Sequence, residues 1–402
     1  MNVINYIKKN GFEKLKEEFH ISVKEYEDRY VLNYDQIDSP RFHPIVDECR
    51  GLILDKDLNV MAKSFHRFFN FGEGIEGNKF GVKDSEGTIH AFDIKDAKIY
   101  HKMDGSLINL YWDYFKNKWQ VATRGMAFAE GGNEFVDSFE ELAKSAKQYN
   151  DIISNLNEWA EQDKFVKSRT YIFELTSRFN RIVTPYTETE LTLLSIKDSQ
   201  GGIEFPRHAL EEASGRLGVK LPTYYHVSDW NELTKLVNSF PAMQEGVVLV
   251  WEDLMRSQGH YRLKCKNVNY VAIHNMRSNG LISPYRILTL VMNNEHEEFL
   301  SYFPEDQKYF DFVSTEYEKM TSSIERIYLA VKGIEDQKEF ALAVMENITE
   351  KFYSGFVFEM RKGRSLEDCL DTFKGGAKQL AKKMNLKEKF IKEFNLKMEI
   401  EE

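Results

Sequence analysis

Lys102-Met103-Asp104-Gly105-Ser106 is the most informative segment of this chain. Strand-like residues precede it at 96–100, and an alternating run follows it from Leu107 to Trp112. A lysine held between two strands, with Gly105 and Ser106 supplying a tight turn and a free N–H, suits a nucleophile that faces a phosphate. A plain β-turn with an exposed lysine is the alternative interpretation.

Eight further motifs occur in a fixed order before and after this lysine. They are Asp47-Glu48-Cys49-Arg50-Gly51, Arg67-Phe68-Phe69-Asn70, Thr123-Arg124-Gly125, Phe173-Glu174-Leu175, Asn180-Arg181-Ile182-Val183, Glu245-Gly246-Val247-Val248, Arg262-Leu263-Lys264-Cys265-Lys266 and Tyr270-Val271-Ala272-Ile273-His274. The ordered set resembles the covalent nucleotidyltransferases, the superfamily of ATP-dependent ligases and RNA capping enzymes. Within that superfamily it is most similar to the bacteriophage RNA ligase 1 family, from near residue 30 to near residue 275.

The resemblance implies an ATP-dependent RNA ligase that joins a 5′-phosphate end to a 3′-hydroxyl end in three steps. Lys102 attacks the α-phosphate of ATP, AMP passes to the RNA 5′-phosphate, and the 3′-hydroxyl then displaces AMP. ATP is thus a substrate that leaves AMP covalently on Lys102, and Mg²⁺, or alternatively Mn²⁺, is the implied metal. The implied partner is RNA with these two ends, with a nicked tRNA as one candidate in RNA repair.

The resemblance also assigns site residues. Those with an implied catalytic role are Lys102, Glu174, Lys264, Lys266 and Tyr270. Those with an implied nucleotide contact are Tyr34, Arg50, Arg67, Lys102, Glu174, Glu245, Lys264 and Lys266. Glu174 resembles the partner of the ribose, and Glu245 resembles the metal-linked acid of the family.

Several of these assignments have alternatives. Tyr34 resembles the aromatic beside the adenine base, but a core tyrosine fits nearly as well, and Glu245 could be a surface glutamate at the start of a strand. Arg67 stands where better-known relatives carry a lysine. Glu297 is the nearest match to a metal-binding Asp of the family's helical domain, and a solvated helix face is its alternative.

The residues themselves add physical constraints. Free lysine has a pKa of about 10.4, so we expect burial or nearby cations to lower the pKa of Lys102, with Arg50 and the Lys264/Lys266 pair as candidates. Two lysines spaced by two residues lie on one face of a strand, although that face could be turned to water. Glu174 sits in an apolar strand, where a carboxylate is costly unless it is paired or used.

Composition bounds the class of protein. A chain of 402 residues has room for two domains. Three widely spaced cysteines without metal-ligand spacing favour a reducing compartment, and no signal peptide or membrane-length apolar run is present. We therefore expect a cytoplasmic protein, and we also expect a monomer. A net charge of −10 argues against a general nucleic-acid coat protein but not against a nucleic-acid enzyme.

Hydrophobic periodicity changes along the chain. Short alternating or β-rich runs predict strands at 30–34, 107–112, 119–123, 171–175, 191–196, 247–251 and 260–264, and helices are predicted at 134–148, 152–162, 207–217 and 230–239. After Ser283-Pro284, a helix N-cap followed by a proline at the first helical position, helical periodicity dominates. The prediction is an α+β fold: an ATP-grasp-like nucleotidyltransferase domain with antiparallel sheets at 1–278, then an all-α domain at 279–402 that selects the RNA.

Rival functions fit parts of the same pattern. A DNA ligase or capping enzyme would follow the paired lysines with a small β-barrel, whose strand signals are missing here. An RNA-end-binding module without turnover and a fragment of a tRNA-splicing ligase of the fungal kind are the other rivals. Seven lysines cluster between Lys374 and Lys392, as either a solvated helix face or an RNA-contacting face.

Overall fold

The computed structural model describes residues 1–73, 81–83, 89–132, 135–253, 259–277, 282–293, 295–374 and 376–395, and it describes the backbone alone at 81–83, 89–91, 275–277 and Glu298. The chain divides into two compact units, Met1–Asn275 and Met276–Glu402. The predicted domain limit between residues 278 and 279 lies outside the described residues. The roles assigned to 1–278 and 279–402 therefore remain predictions.

The first unit is rich in strands. In chain order they are β1 (Ile21–Glu25), β2 (Arg29–Tyr34), β3 (Arg50–Asp55), β4 (Val60–Ala62), β5 (Phe69–Asn70), β6 (Gly81–Lys83), β7 (Ile89–Ala91), β8 (Lys98–His101), β9 (Ser106–Asp113), β10 (Lys118–Thr123), β11 (Arg169–Thr176), β12 (Glu190–Asp198), β13 (Tyr224–Tyr225), β14 (Gly246–Trp251) and β15 (Tyr261–Lys266). Each predicted strand lies within or overlaps one of these, because alternating runs match a half-buried strand and short runs rich in apolar and β-branched residues, such as 247–251, match a fully buried one.

The described strands form three larger sheets and one hairpin. The first sheet has the order β1-β2-β3-β4, the second β10-β9-β11-β12 and the third β13-β8-β14-β15-β5, while β6 pairs with β7. Neighbouring strands are antiparallel except for β15 and β5, which run parallel. The turn after β8 leads directly into β9, so the chain passes from the third sheet to the second at Lys102.

Helices of the first unit cover these sheets. They are α1 (Asn2–Phe19), α2 (Pro44–Glu48), α3 (Phe139–Lys144), α4 (Tyr149–Gln162), α5 (Arg207–Leu217), α6 (Trp230–Asn238) and α7 (Val268–Arg277). Apolar side chains of α1 pack with the first sheet, those of α3 to α5 with the second, and those of α6 with the third. The helices predicted at 152–162, 207–217 and 230–239 correspond to α4, α5 and α6.

The single helix predicted at 134–148 is wrong. Glu134 lies outside the described residues, and Ser138 caps α3 by accepting the N–H of Glu141. The segment between α3 and α4 is a turn, in which the Ser145 hydroxyl donates to the carbonyl of Leu142. This local side-chain bond competes with continued helix.

The described part of the second unit is helical. Its helices are α8 (Pro284–Met292), α9 (His296–Tyr302), α10 (Gln307–Val331), α11 (Gln337–Asn347), α12 (Tyr353–Arg361), α13 (Leu366–Asp371), α14 (Gly376–Lys383) and α15 (Leu386–Phe394). Ser283 caps α8 as expected, because its hydroxyl accepts the N–H of Arg286. Antiparallel sheets in one unit and helices in the other agree with the predicted α+β class. Among the residues described, no helix combines the length and apolar character needed to span a bilayer.

Candidate active site

The turn that carries Lys102 is fixed by close backbone contacts. The Lys102 N–H donates to the carbonyl of Gly246 at 2.8 Å. A Cβ at position 105 would lie 2.4 Å from the carbonyl oxygen of Leu175, so this approach requires glycine. The Lys102 side chain is 21% exposed. The alternative of a plain turn with an exposed lysine is therefore wrong.

Asp104 anchors this turn. Its Oδ1 accepts the hydroxyl of Tyr270 at 2.6 Å, and its Oδ2 accepts the N–H groups of Val183 and Thr184 at 2.9 and 2.7 Å. Asp104 is 2% exposed, so these bonds satisfy a charge that water hardly reaches. Asp104 thus ties two distant segments to the loop of Lys102.

Lys102 shares the carboxylate of Glu245 with a second lysine. The strand register brings them together, because β8 and β14 are antiparallel with His101 opposite Val247, and Gly246 is opposite Lys266. Lys102 Nζ lies 2.6 Å from Glu245 Oε2, and Lys266 Nζ lies 2.9 Å from Glu245 Oε1. Glu245 is 4% exposed, so the alternative of a surface glutamate is wrong.

The pKa of Lys102 departs from expectation. Burial acts to lower it, but the charges of Glu245 and Glu174 outweigh burial and leave the pKa raised. The prediction that burial and cations lower the pKa of Lys102 is wrong for this arrangement, because Glu245 contacts its ammonium directly. The Glu245 pKa is lowered: burial acts to raise it, and Lys102 and Lys266 outweigh burial.

Lys264 is a neighbouring lysine whose pKa falls. Burial, followed by the charges of Arg50, Lys102 and Lys266, lowers its pKa to about 8. The Phe68 ring lies 5.1 Å from Lys264 Nζ and 5.2 Å from Arg50 Cζ, so it sits beside both cations. The surroundings of Lys264 thus disfavour its charged form, and a bound anion would favour that form.

Glu174 lies on β11, directly beside the Lys102 turn. Its Oε1 accepts the N–H of Gly105 at 3.0 Å. Burial raises the pKa of Glu174 to about 7, although the positive charge of Lys102 opposes that shift. A carboxylate that titrates near neutral pH in a cleft is typical of functional sites.

These side chains line one cleft of about 300 Å³ within the first unit. Six predicted site residues are among those lining it: Arg50, Lys102, Glu174, Glu245, Lys264 and Lys266. Four are cations and two are carboxylates, so this part of the cleft attracts anions such as phosphates. Lys264 and Lys266 line the cleft, and the alternative of a lysine face turned to water is wrong.

Tyr34 and Arg67 are not among the residues that line the cleft. The Tyr34 ring lies 4.4 Å from Arg67 Cζ and 4.4 Å from Arg124 Cζ. Arg67 donates to the carbonyls of Ser39 and Gln36 at 3.1 and 3.2 Å, so its guanidinium holds the loop after β2. The structure therefore does not bring Tyr34 or Arg67 to the cleft wall, and their nucleotide contacts stay predictions.

Tyr270 and Glu297 are also separate from the cleft wall. Tyr270 is 1% exposed and supports the turn of Lys102 through Asp104, so it lies behind the site. Burial raises the pKa of Tyr270 well above its ordinary value, which keeps the hydroxyl a donor. Glu297 is exposed on α9, and no group of three or more potential metal-ligating side chains occurs among the described residues. Its role as a metal ligand remains a prediction.

Sequence reasoning assigned no role to three further residues that line the cleft. Glu204 and Arg262 form a buried ion pair there, and Phe68 lies beside the cations. Arg262 stands two residues before Lys264, so its place on the same strand face was a usable signal. Glu204 follows β12 without any motif, and no local pattern could have identified it.

Comparison with known proteins finds several RNA ligases among its matches. The model of the RNA ligase family matches residues 48–270. A putative bifunctional polynucleotide kinase/RNA ligase of Autographa californica nuclear polyhedrosis virus is 32% identical over 313 residues, which are 76% of this chain and 42% of that protein. An RNA ligase of Rhodothermus phage RM378 is 24% identical over 354 residues, 74% of this chain and 78% of that one.

A solved structure of an archaeal ATP-dependent RNA ligase has a TM-score of 0.43 and 11% identity, covering 87% of this chain and 80% of its own. The chain spans less than half the length of the baculovirus relative. The matched segment 48–270 covers more than half of this chain and contains the cleft residues from Arg50 to Lys266. The resemblance inferred from the motifs is confirmed: the chain belongs to the RNA ligase family.

Proposed function

We propose that this protein is an ATP-dependent RNA ligase that forms a lysine–AMP intermediate on Lys102 and then joins a 5′-phosphate to a 3′-hydroxyl RNA end. The observation that carries the proposal is the position of Lys102. Its amine is hydrogen-bonded to Glu245 in a cleft with Lys264 and Lys266, which gives a nucleophile surrounded by groups for phosphates.

In the first step the Lys102 amine attacks the α-phosphorus of ATP. An N–P bond forms, the P–O bond to pyrophosphate breaks, and the ammonium must first lose a proton. Glu245 Oε2, at 2.6 Å, orients the amine, and the proton is released to solvent water as ATP and its metal ion enter the cleft. Lys264 and Lys266 then stabilise the charge on the transferring phosphates.

Glu174 and Glu245 would supply carboxylate oxygens of the kind that Mg²⁺ prefers, Glu245 in exchange for one of its contacts to Lys102 and Lys266. Magnesium in phosphoryl-transfer sites is commonly held by one or two carboxylates together with substrate phosphates, and among the glutamates of the cleft Glu174 and Glu245 lie beside Lys102. These residues fit the ion, which supplies charge neutralisation when it is bound. Mn²⁺ has the same oxygen preference.

The RNA steps follow from the same cleft. AMP passes from Lys102 to the RNA 5′-phosphate, which restores the free amine, and the 3′-hydroxyl attacks that activated phosphate and releases AMP. We propose single-stranded RNA breaks as the substrate, with a nicked tRNA as one example in RNA repair. The second unit, with its Lys374–Lys392 cluster, is proposed to select the RNA.

Labelling with ATP tests this proposal. Incubation with α-labelled ATP and Mg²⁺ should leave label on the denatured protein, and Lys102→Ala should abolish it, whereas γ-labelled ATP should leave none. A phosphorylated RNA strand should then be circularised, and nicked duplex DNA should be sealed poorly. Label retained by Lys102→Ala would contradict the mechanism, and efficient sealing of DNA with inert RNA would favour a DNA ligase.

A further inference from the structure

A buried ion pair between Glu204 and Arg262 lines the same cleft, and the mechanism above gives it no role. Glu204 is fully buried, and Arg262 is 8% exposed. One Arg262 amino group donates to Glu204 Oε2 at 3.0 Å, and the other donates to Oε1. Such a two-point pair fixes the orientation of the guanidinium as well as its position.

Both partners of this pair are held by other groups. Glu204 also accepts the N–H of His260 at 3.0 Å and the hydroxyl of Ser195. The ring of Phe65 lies 4.0 Å from Arg262 Cζ. A Cβ at Gly259 would lie 2.6 Å from Glu204 Oε2, so a side chain at this position would clash with the carboxylate. These protein contacts are typical of a structural support rather than of a ligand contact.

The pair joins the two sheets that carry the site. Glu204 forms a β-bridge with Lys197 at the end of β12, which lies beside β11 and Glu174 in the second sheet. Arg262 lies on β15 of the third sheet, on the same strand face as Lys264 and Lys266. Glu204 and Arg262 therefore connect the sheet that carries the Glu174 carboxylate to the strand that carries the two lysines.

We propose that the Glu204–Arg262 pair is a positioning clamp that sets the separation between Glu174 and the Lys264/Lys266 pair, and that fast formation of lysine–AMP requires it. A buried ion pair is an expensive way to join two sheets, because apolar side chains of similar volume usually do so at least as well. Catalysis, in contrast, requires that charged groups are held within about 0.5 Å of their productive positions. The inference rests on the proposed function, because its readout is adenylylation of Lys102.

Single-turnover labelling with α-labelled ATP at saturating concentration tests the clamp. The double variant Glu204→Gln/Arg262→Met removes both members of the pair together, so neither is left buried without the other. The buried Lys197, whose charge also acts on Glu204, loses that interaction, so the folding check is part of the experiment. The glutamine amide at position 204 can still accept the N–H of His260 through its oxygen, while its NH₂ group donates to the Ser195 hydroxyl oxygen. We expect at least a tenfold lower rate of lysine–AMP formation per folded molecule, with folding checked by circular dichroism and thermal unfolding.

The first unit offers a matched control. Arg29 and Asp113 also form a fully buried ion pair, 2.8 Å apart, with an aromatic ring 4.7 Å from the guanidinium, and neither residue lines the cleft. Arg29 additionally donates to both oxygens of Asp28, so it stays paired when Asp113 is changed. Asp113→Asn should lower the melting temperature yet leave the rate per folded molecule within twofold of the wild type. Arg262→Lys, which keeps the charge but loses the two-point geometry, should give an intermediate rate.

The outcomes separate the clamp from simpler roles. A wild-type rate in a folded double variant would overturn the clamp, and so would an equal loss of rate in Asp113→Asn, since any buried pair would then matter. If the double variant does not fold, the rate of Arg262→Lys decides: a wild-type rate overturns the clamp and a lower one supports it. Absence of label on the wild-type protein would instead contradict the proposed function.

Discussion

The two units treat buried polar groups in opposite ways. In the second unit, Asp306 is the single polar or charged side chain that is buried among the described residues. In the described part of the first unit, buried charged groups include Arg29, Asp104, Glu174, Lys197, Glu204, Glu245 and Arg262. Burying an ion costs several kcal/mol unless it is paired, so a fold that needed stability alone would resemble the second unit. The difference is the one expected if the chemistry lies in the first unit, as proposed above.

Substitution of the two lysines on β15 should have the largest effect on activity and so tests the role of the buried charges in the first unit. Lys264→Ala and Lys266→Ala should each slow formation of lysine–AMP by about a hundredfold or more, because one oriented charge at a transferring phosphate contributes about 3 kcal/mol. The rate is measured by single-turnover labelling with α-labelled ATP. Lys118→Ala, an exposed lysine on β10, is the matched control and should retain the wild-type rate. Wild-type rates in both β15 variants would mean that these lysines are structural.

Glu174 should reduce stability where it is ionised. Its pKa is raised to about 7, so the unfolded chain ionises this group at lower pH than the folded protein does. The cost of burying the charge is absent below about pH 4.5, grows as pH rises to about 7 and is constant above it. Glu174→Gln should therefore raise the free energy of unfolding by about 1–3 kcal/mol at about pH 8 and leave it unchanged at about pH 4.5.

Denaturant unfolding of both proteins at the two pH values provides that measurement, and label uptake should fall in the same variant. Equal stabilities at the higher pH would show that burial does not destabilise the Glu174 carboxylate, and the contrast between the units would then lose one of its main examples.

Lys264 predicts how nucleotide affinity depends on pH. Its pKa of about 8 means that the free protein loses this charge as pH rises through 8, whereas bound phosphates favour the charged form. The affinity for ATP should therefore weaken above this pKa, by at most about tenfold per pH unit. In Lys264→Arg, which stays charged, the affinity should be flat between about pH 7.5 and 9.5, as measured by equilibrium binding. The same slope in both proteins would assign the titration to another group.

The lysines of the second unit should give the smallest effect. Lys374, Lys382 and Lys392 are exposed, and replacing them with Glu should weaken RNA binding while adenylylation of Lys102 continues. A plot of log affinity against log salt concentration has a negative slope, and this slope should become less steep by about 0.7 for each lost contact to single-stranded RNA. Reversing Lys338 and Lys351, exposed lysines outside the cluster, is the control. If the salt dependence of the triple variant equals that of the wild type, the lysine cluster does not contact RNA and is only a solvated helix surface.

Local patterns predicted much of the fold and part of the site. Strand β9 follows from its alternating run, β14 follows from its short run of β-forming apolar residues, and Ser283 with Pro284 marks the start of α8, because all three signals involve neighbouring residues. Lys264 and Lys266 face one cleft for the same reason. The resemblance located Lys102, Glu174 and Glu245, which lie in separate segments and which no local periodicity could have brought together.

The parts that sequence did not predict depend on tertiary contacts. The pKa of Lys102 is raised because Glu245, which is 143 residues away, contacts its ammonium. Tyr34 lies between Arg67 and Arg124 because three separate segments meet there. Glu204 and Arg262 pair over 58 residues. Charge and burial at such points depend on which segments meet, and a single sequence contains no direct signal of that.

Mapping of AMP on the protein is the decisive test of the Lys102 mechanism. The protein is incubated with ATP and Mg²⁺ without RNA, digested at neutral pH, and analysed by tandem mass spectrometry for peptides that carry the mass of one AMP group. We predict that AMP is attached to the Nζ of Lys102 and is removed when 5′-phosphorylated RNA is added. AMP on Lys264 or Lys266 with Lys102 unmodified would refute that mechanism.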